Sequence, residues 1–178
     1  MLRSNGLTLP ELITSLAIVA VAGTLAIPSF NNLRLDSERA RMVNSFVHSL
    51  FLARSESIKR GEVVTICPSW DGESCANPGT SWHIGWIVFA NTSRSDVDTR
   101  DPGEDIIHVQ GPWTAGTIRS NRSSYAFRPH RQGVPNGTLV FCDRRGSEHA
   151  RAVIVSQTGR PRVSQRDASR RPLQCPDV

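Results

Sequence analysis

The chain has 178 residues, of which 38% are hydrophobic and 21% charged, with a formal net charge of +5. These fractions are those of an ordinary globular protein and exclude a wholly disordered chain; once an apolar N-terminal segment is set aside, enough remains for one domain with its own core. The charge is uneven: Glu62–Asp105 holds eight acids against Arg94 and Arg100, whereas Arg119–Val178 holds twelve arginines against Asp143, Glu148, Asp167 and Asp177.

The N-terminal stretch RSNGLTLPELITSLAIVAVAGTLAIPSF is apolar enough to enter a bilayer, yet it contains Glu11. An unpaired carboxylate in hydrocarbon costs roughly 2.5–3.5 kcal/mol even on lenient insertion scales. A secretory signal peptide would use Arg3 as its positive region and Ala20-Val21-Ala22 as its cleavage site, but Pro10 and Glu11 interrupt the start of its core. A plain transmembrane helix from Leu7 to Phe30 is long enough to span, yet leaves Glu11 unexplained.

Gly6 followed by Leu7-Thr8-Leu9-Pro10-Glu11 resembles the class III signal of type IV pilins and pseudopilins. The resemblance implies cleavage after Gly6 by a prepilin peptidase, methylation of the new amine on Leu7, and a glutamate fifth in the mature chain. Leu7 stands where Phe is commoner, and Pro10 falls in the first helical turn, where its missing N–H had no partner. Pro28, after Ile27, matches the family's helix-weakening proline near mature position 22. In that family the glutamate pairs with the N-terminal amine of a neighbouring subunit, which turns a costly charge into a docking and register device. The division implied is a leader at 1–6, a membrane or filament-core half-helix at 7–30, an amphipathic half-helix at 31–60 and a β domain at 61–178.

Beyond Pro28, Leu35, Met42, Val43, Phe46, Val47, Leu50, Phe51 and Ile58 recur at three- and four-residue steps. Asp36, Glu38, Arg39, Arg41, Asn44, Arg54 and Glu56 fill much of the opposite side, which predicts an amphipathic helix packing one stripe on a sheet. Lys59-Arg60-Gly61 marks its end. A helix from Leu7 to Lys59 would be roughly 80 Å long.

After Gly61 the pattern changes to short β-like runs: 62–67, 83–90, 105–110, 116–119, 124–128, 137–143 and 151–156, with PNG, DRRG and QTG as turns. Seven or eight such strands predict an antiparallel sheet or sandwich, hence an α+β fold with the long helix packed on it. The polar stretch Asn91–Asp105 is expected to be an exposed loop. Cys67, Cys75, Cys142 and Cys175 contain no C-x-x-C pair and do not read as a zinc site. An even number behind an apolar segment points to disulfides in an oxidising compartment. Of three possible pairings, the favoured one joins Cys67 to Cys75 around Asp71-Gly72 and Cys142 to Cys175 at the tail.

The run SWHIGWIVFAN resembles the Trp-x-x-Gly-Trp-x-Val-Phe pattern of FimT/GspH-type minor pilins and pseudopilins, carried here by Trp82, Gly85, Trp86, Val88 and Phe89. ARSESIKRGEVVTIC is similar to that family's helix-to-strand junction, and FCDRRG and RAVIVSQTGRPR to its last strands. Trp82 and Trp86 are expected to fill the space between helix and sheet.

Little in the chain reads as catalytic. His48, His83, His108, His130 and His149 are scattered, with no metal-ligand spacing. Asp98, Asp101, Glu104 and Asp105 lack the twelve-position order of an EF-hand and read as a solvated loop. No nucleophile elbow or Walker sequence occurs. No enzymatic activity and no cofactor are expected.

The informative segment is QTGRPRVSQRDASRR. Gly159 permits a tight turn, and Arg160 and Arg162 flank Pro161; in an extended stretch they share one face. Two planar guanidinium forks on a stiff turn suit phosphate oxygens of a nucleic acid. Arg166, Arg170, Arg171, Arg144 and Arg145 extend the field, with the tail held by the Cys142–Cys175 bridge. FimT-like proteins of natural transformation carry a DNA-binding Gly-Arg-x-Arg near the C-terminus, and the match is Gly159 to Arg162. The resemblance implies a minor pilin that passes from the inner membrane into a pilus with other pilins and takes up extracellular DNA without sequence preference. The alternative is a structural minor pilin or pseudopilin that primes a pilus or a type II secretion pseudopilus.

Overall fold

A computed structural model describes residues 8–92, 98–129 and 136–176. Gly6 and Leu7, the expected cleavage site, and His130 lie outside the described residues. The chain divides into two compact units, Met1–Ser37 and Glu38–Val178. One helix, α1 (Leu9–Arg60), runs through the boundary.

In the first unit α1 carries an 18-residue window of mean hydropathy 2.0, long and apolar enough to cross a membrane. Thr8 stands just before the helix. Its carbonyl accepts from the Glu11 and Leu12 N–H groups, both at 3.1 Å. Glu11 Oε2 lies 3.5 Å from both Thr8 N and Thr8 Oγ1. Thr8 and Glu11 thus stand as the first and fourth positions of a loose capping box. Pro28 lies inside α1 without ending it.

In the second unit α1 ends where basic residues meet Gly61, whose N–H donates to the Ser57 carbonyl at 3.0 Å. The face it buries is narrower and less apolar than the sequence stripe. Met42, Val43, Phe46, Leu50 and Ala53 are buried, together with Ser49 and Ser57. Phe51 and Ile58, expected in the stripe, are exposed, and Arg39, expected opposite it, is buried. Close approach of helix to sheet selects small residues. Ser49 Oγ accepts from Trp86 Nε1 at 2.9 Å, and Ser57 Oγ donates toward the Glu62 and Phe127 carbonyls at 2.7 and 3.0 Å.

Eight strands follow among the described residues: β1 (Val63–Pro68), β2 (Trp86–Asn91), β3 (Ile106–Gln110), β4 (Gly116–Ser120), β5 (Tyr125–Phe127), β6 (Gly137–Asp143), β7 (Arg151–Val155) and β8 (Pro161–Ser164). They form two four-stranded antiparallel sheets, ordered β3-β2-β1-β5 and β4-β6-β7-β8. Val64, Ile66, Trp86 and Val88 of the first sheet and Ile118, Leu139, Phe141 and Val153 of the second meet α1 in one core. Phe46 is its centre, with ring centroids 5.5 Å from Trp82, 5.4 Å from Trp86 and 5.9 Å from Tyr125, all edge-to-face. Such pairs add about 0.5–1.5 kcal/mol each beyond burial.

The run expected as a strand from His83 is instead a 3-10 turn, Trp82–Ile84, followed by Gly85 at φ 110°. A Cβ on Gly85 would stand 2.5 Å from the Gln110 carbonyl oxygen, so only glycine fits. This turn sends Trp82 and Trp86 to the same core from opposite sides of a bend.

Each sheet's other face has its own small cover. Cys67, Ile87 and Phe89 are roofed by the segment that ends in Cys75, and Cys142, Ala152 and Ile154 by the tail residues Leu173 and Cys175. Both roofs are tied by disulfides, Cys67–Cys75 and Cys142–Cys175. Burial on both faces explains why β2 is an unbroken apolar run rather than an alternating one. The acidic loop is not uniformly exposed: Glu104 is buried and accepts from the Thr92 N–H at 2.5 Å and the Asp101 N–H at 3.0 Å.

Candidate nucleic-acid interface

Strands β7 and β8 form a hairpin at the edge of the second sheet. Its turn is closed by the Gly159 N–H on the Ser156 carbonyl at 2.8 Å, with Gly159 at φ 74°. The Ser156 N–H donates to the Arg160 carbonyl at 3.1 Å, and the Arg160 N–H to Ser156 Oγ at 3.2 Å. The opposite side of the turn is fastened by Arg54 of α1, whose guanidinium donates to the Thr158 carbonyl.

The ladder sets Arg162 opposite Ile154 and Pro161 opposite Val155. Continued by one residue, the register sets Arg160 opposite Ser156. Alternation therefore puts Arg160 and Arg162 on the Ile154 side, away from Val153 and Val155, which enter the core. Both are exposed, and neither guanidinium has a hydrogen-bond or ion-pair partner among the described residues. Pro161 lacks an N–H but sits first in an edge strand, where this is tolerated.

The other expected arginines divide. Arg144 is exposed in the turn after β6, and Arg170 is exposed at φ 64° in the tail. Arg145 is committed elsewhere: its Nε and Nη2 reach Asp143 Oδ1 and Oδ2 at 3.0 and 2.7 Å. Asp143 also takes Arg39 of α1 at 2.9 Å, and both Arg39 and Asp143 are buried. Burial pushes the Asp143 carboxyl up, but the hydrogen bonds and charge of Arg145, with the charge of Arg39, outweigh it and hold it below the usual range. Arg171 pairs with Asp167 at 2.8 Å, and Arg166 Nη1 donates to the Arg170 carbonyl at 3.1 Å. Asp167 organises this tail turn by accepting from the Arg171 and Ser169 N–H groups, both at 2.8 Å. Those bonds, led by the Arg171 N–H, hold its carboxyl low. Arg145, Arg166 and Arg171 thus shape the surface, and Arg144, Arg160, Arg162 and Arg170 stand unengaged on it. Arg54 and Ser156 also belong to this site, though no local pattern announces them; the Arg54–Thr158 contact joins residues 104 apart.

The family model described as type II transport protein GspH matches residues 42–159. The chain belongs to the GspH family. The match takes in the last part of α1 from Met42, the Trp82–Trp86 bend and the hairpin up to Gly159, and stops before Arg160. Two crystal forms of the type IV minor pilin FimU from Pseudomonas aeruginosa PAO1 share the fold of this GspH-family chain, with TM-scores of 0.53 and 0.50 and 17% identity in each case. They cover 78% and 82% of this chain and 98% and 97% of FimU. At that identity the likeness speaks for the fold alone: a long N-terminal helix on antiparallel sheets, as in type IV pilins. No curated protein matches the chain.

Proposed function

We propose that this chain is a minor pilin whose β7–β8 hairpin binds the DNA backbone without sequence preference, for uptake of extracellular DNA. The observation that carries the reading is the contrast among the arginines. Arg160 and Arg162 lie exposed and unpartnered on one face of a hairpin braced by Ser156 and Arg54, while Arg145 and Arg171 are spent on carboxylates. A guanidinium held near a rigid backbone loses less freedom on meeting a phosphate than one on a floppy tail. In this reading Glu11 joins a neighbouring subunit's N-terminal amine during assembly, after cleavage between Gly6 and Leu7. The pilin leaves the inner membrane for the filament and carries the hairpin outside.

The test is titration of random-sequence DNA with the full chain in detergent, comparing wild type with Arg160→Gln/Arg162→Gln. Loss of most binding in the variant supports the proposal; equal binding refutes it. The family match favours a second reading, a structural pseudopilin or minor pilin that primes filament assembly. Co-purification of other minor pilins, with no DNA bound at moderate salt, would select it.

A further inference from the structure

An aromatic cleft of about 430 Å³ lies away from the hairpin, lined among others by Trp70, His83, Pro112, Trp113 and Thr114. Trp70 is 74% exposed, in a domain whose other three tryptophans are buried. The loop that carries it is built to hold still. The Cys67–Cys75 bond closes it, and Asp71 accepts from Ser69 Oγ at 3.0 Å, from the Glu73 and Ser74 N–H groups at 2.8 Å each and from Ser74 Oγ at 2.6 Å. A large indole fixed in water on a cross-linked turn has no packing role to explain it.

The cleft also has polar equipment. Ser81 Oγ donates to the Ile118 carbonyl at 2.7 Å, so it accepts from His83 Nδ1–H at 2.8 Å. Nε2 makes no hydrogen bond among the described residues. Gly116, in the cleft wall, stands opposite Asp143 in the β4–β6 ladder, and Arg144 is the next residue. Its exposed, unengaged guanidinium thus starts one residue beyond the ladder partner of the cleft wall.

We infer that this cleft takes an unpaired nucleobase of single-stranded DNA, stacked on Trp70, with its phosphate on Arg144. This rests on the reading of the protein as a DNA binder and adds to it a preference for single strands, because a base in a duplex offers no free face to an indole. Aromatic platforms beside a basic track are the usual equipment for single strands. The cleft lies by Gly116 at one corner of the second sheet and the hairpin tip at the diagonal corner, since Gly137 pairs with Val155 and Asp143 with Gly116. The separation is about 25 Å from strand rise and spacing, or at most about eight nucleotides, taking the stacked duplex rise of about 3.4 Å each.

The experiment uses the full chain in detergent with a thymidine oligonucleotide and a duplex, each about twelve nucleotides long, enough to span both sites. Tryptophan fluorescence and affinity are read for wild type, Trp70→Ala, Arg144→Gln and Arg160→Gln/Arg162→Gln. The expected result is quenching by the oligonucleotide that Trp70→Ala abolishes. Trp70→Ala should weaken single-strand binding roughly 5- to 150-fold, since stacking on one side chain is worth about 1–3 kcal/mol, and leave duplex binding unchanged. Arg144→Gln should weaken the single strand more than the duplex. If Trp70→Ala binds the single strand like wild type while Arg160→Gln/Arg162→Gln still weakens both, the cleft is refuted and the hairpin reading stands. If wild type binds neither, both fall. Quenching of Trp70 by a proline-rich peptide or an oligosaccharide, and not by thymidine, overturns the assignment.

Discussion

Replacing Arg160 and Arg162 with glutamine tests the hairpin through salt rather than through affinity alone. Each phosphate contact on duplex DNA contributes about −0.9 to the slope of log K against log salt. If Arg144, Arg160, Arg162 and Arg170 all reach phosphates, the wild-type slope is about −3.6, and the double variant's is about −1.8. Between 50 and 200 mM salt, wild-type affinity then falls roughly 150-fold and the variant's roughly twelvefold. Fluorescence anisotropy with a labelled duplex of random sequence measures both slopes. Arg145→Gln is the internal control: its guanidinium is bound to Asp143, so the slope should stay at the wild-type value. The reasoning is refuted if the double variant keeps the wild-type slope, or if Arg145→Gln flattens it as much as the hairpin pair does.

Further predictions concern the scaffold. Asp143→Asn strips the charge that Arg39 and Arg145 share in the interior; removing one member of a buried pair costs about 3–5 kcal/mol, read as a fall of roughly 10 °C in Tm. Because the folded pKa of Asp143 is depressed, its contribution is present above the unfolded value, about pH 4, and is lost as pH falls through the lower folded value; a pH series of Tm in wild type and Asp143→Asn should converge in acid. Opening Cys142–Cys175, 33 residues apart, costs about 3–4 kcal/mol by chain entropy. Arg160 and Arg162 are placed by the β7 ladder and Arg54 rather than by that bridge, so at a temperature where the Cys142→Ser/Cys175→Ser variant stays folded, DNA affinity should fall no further than loss of the Arg170 contact requires. Glu11→Ala should abolish incorporation into filaments while processing still yields Leu7 as the first residue, checked by immunoblot of sheared filaments and by mass spectrometry; unchanged incorporation rejects the subunit-pairing role.

The arginine site was half legible. Strand alternation around Pro161 sets Arg160 and Arg162 on one face, because a two-residue period needs no tertiary information. Arg145 could not be separated from Arg144 in the same way. Both sit in one turn, and what distinguishes them is Asp143, whose burial depends on Arg39 from a helix 104 residues away. Likewise the helix stripe was legible in Met42, Phe46 and Leu50 but misjudged at Phe51 and Ile58. Large apolar residues fit the period on a face that the sheet never reaches, while Ser49, Ala53 and Ser57 are small enough for the sheet to come close.

By itself the sequence determined what is written in local periods and short-range chemistry: an apolar stretch interrupted by Glu11, a long helix closed at Gly61, seven of the eight strands to within a few residues, and an oxidised set of cysteines. Only the tertiary structure decided that the strands split into two sheets sharing one core around Phe46, that each sheet's far face is roofed by a disulfide-tied segment, and which guanidinium groups remain unengaged. These depend on contacts between residues distant along the chain, and a side chain's charge is available to a ligand only where the folded surroundings supply no carboxylate to take it.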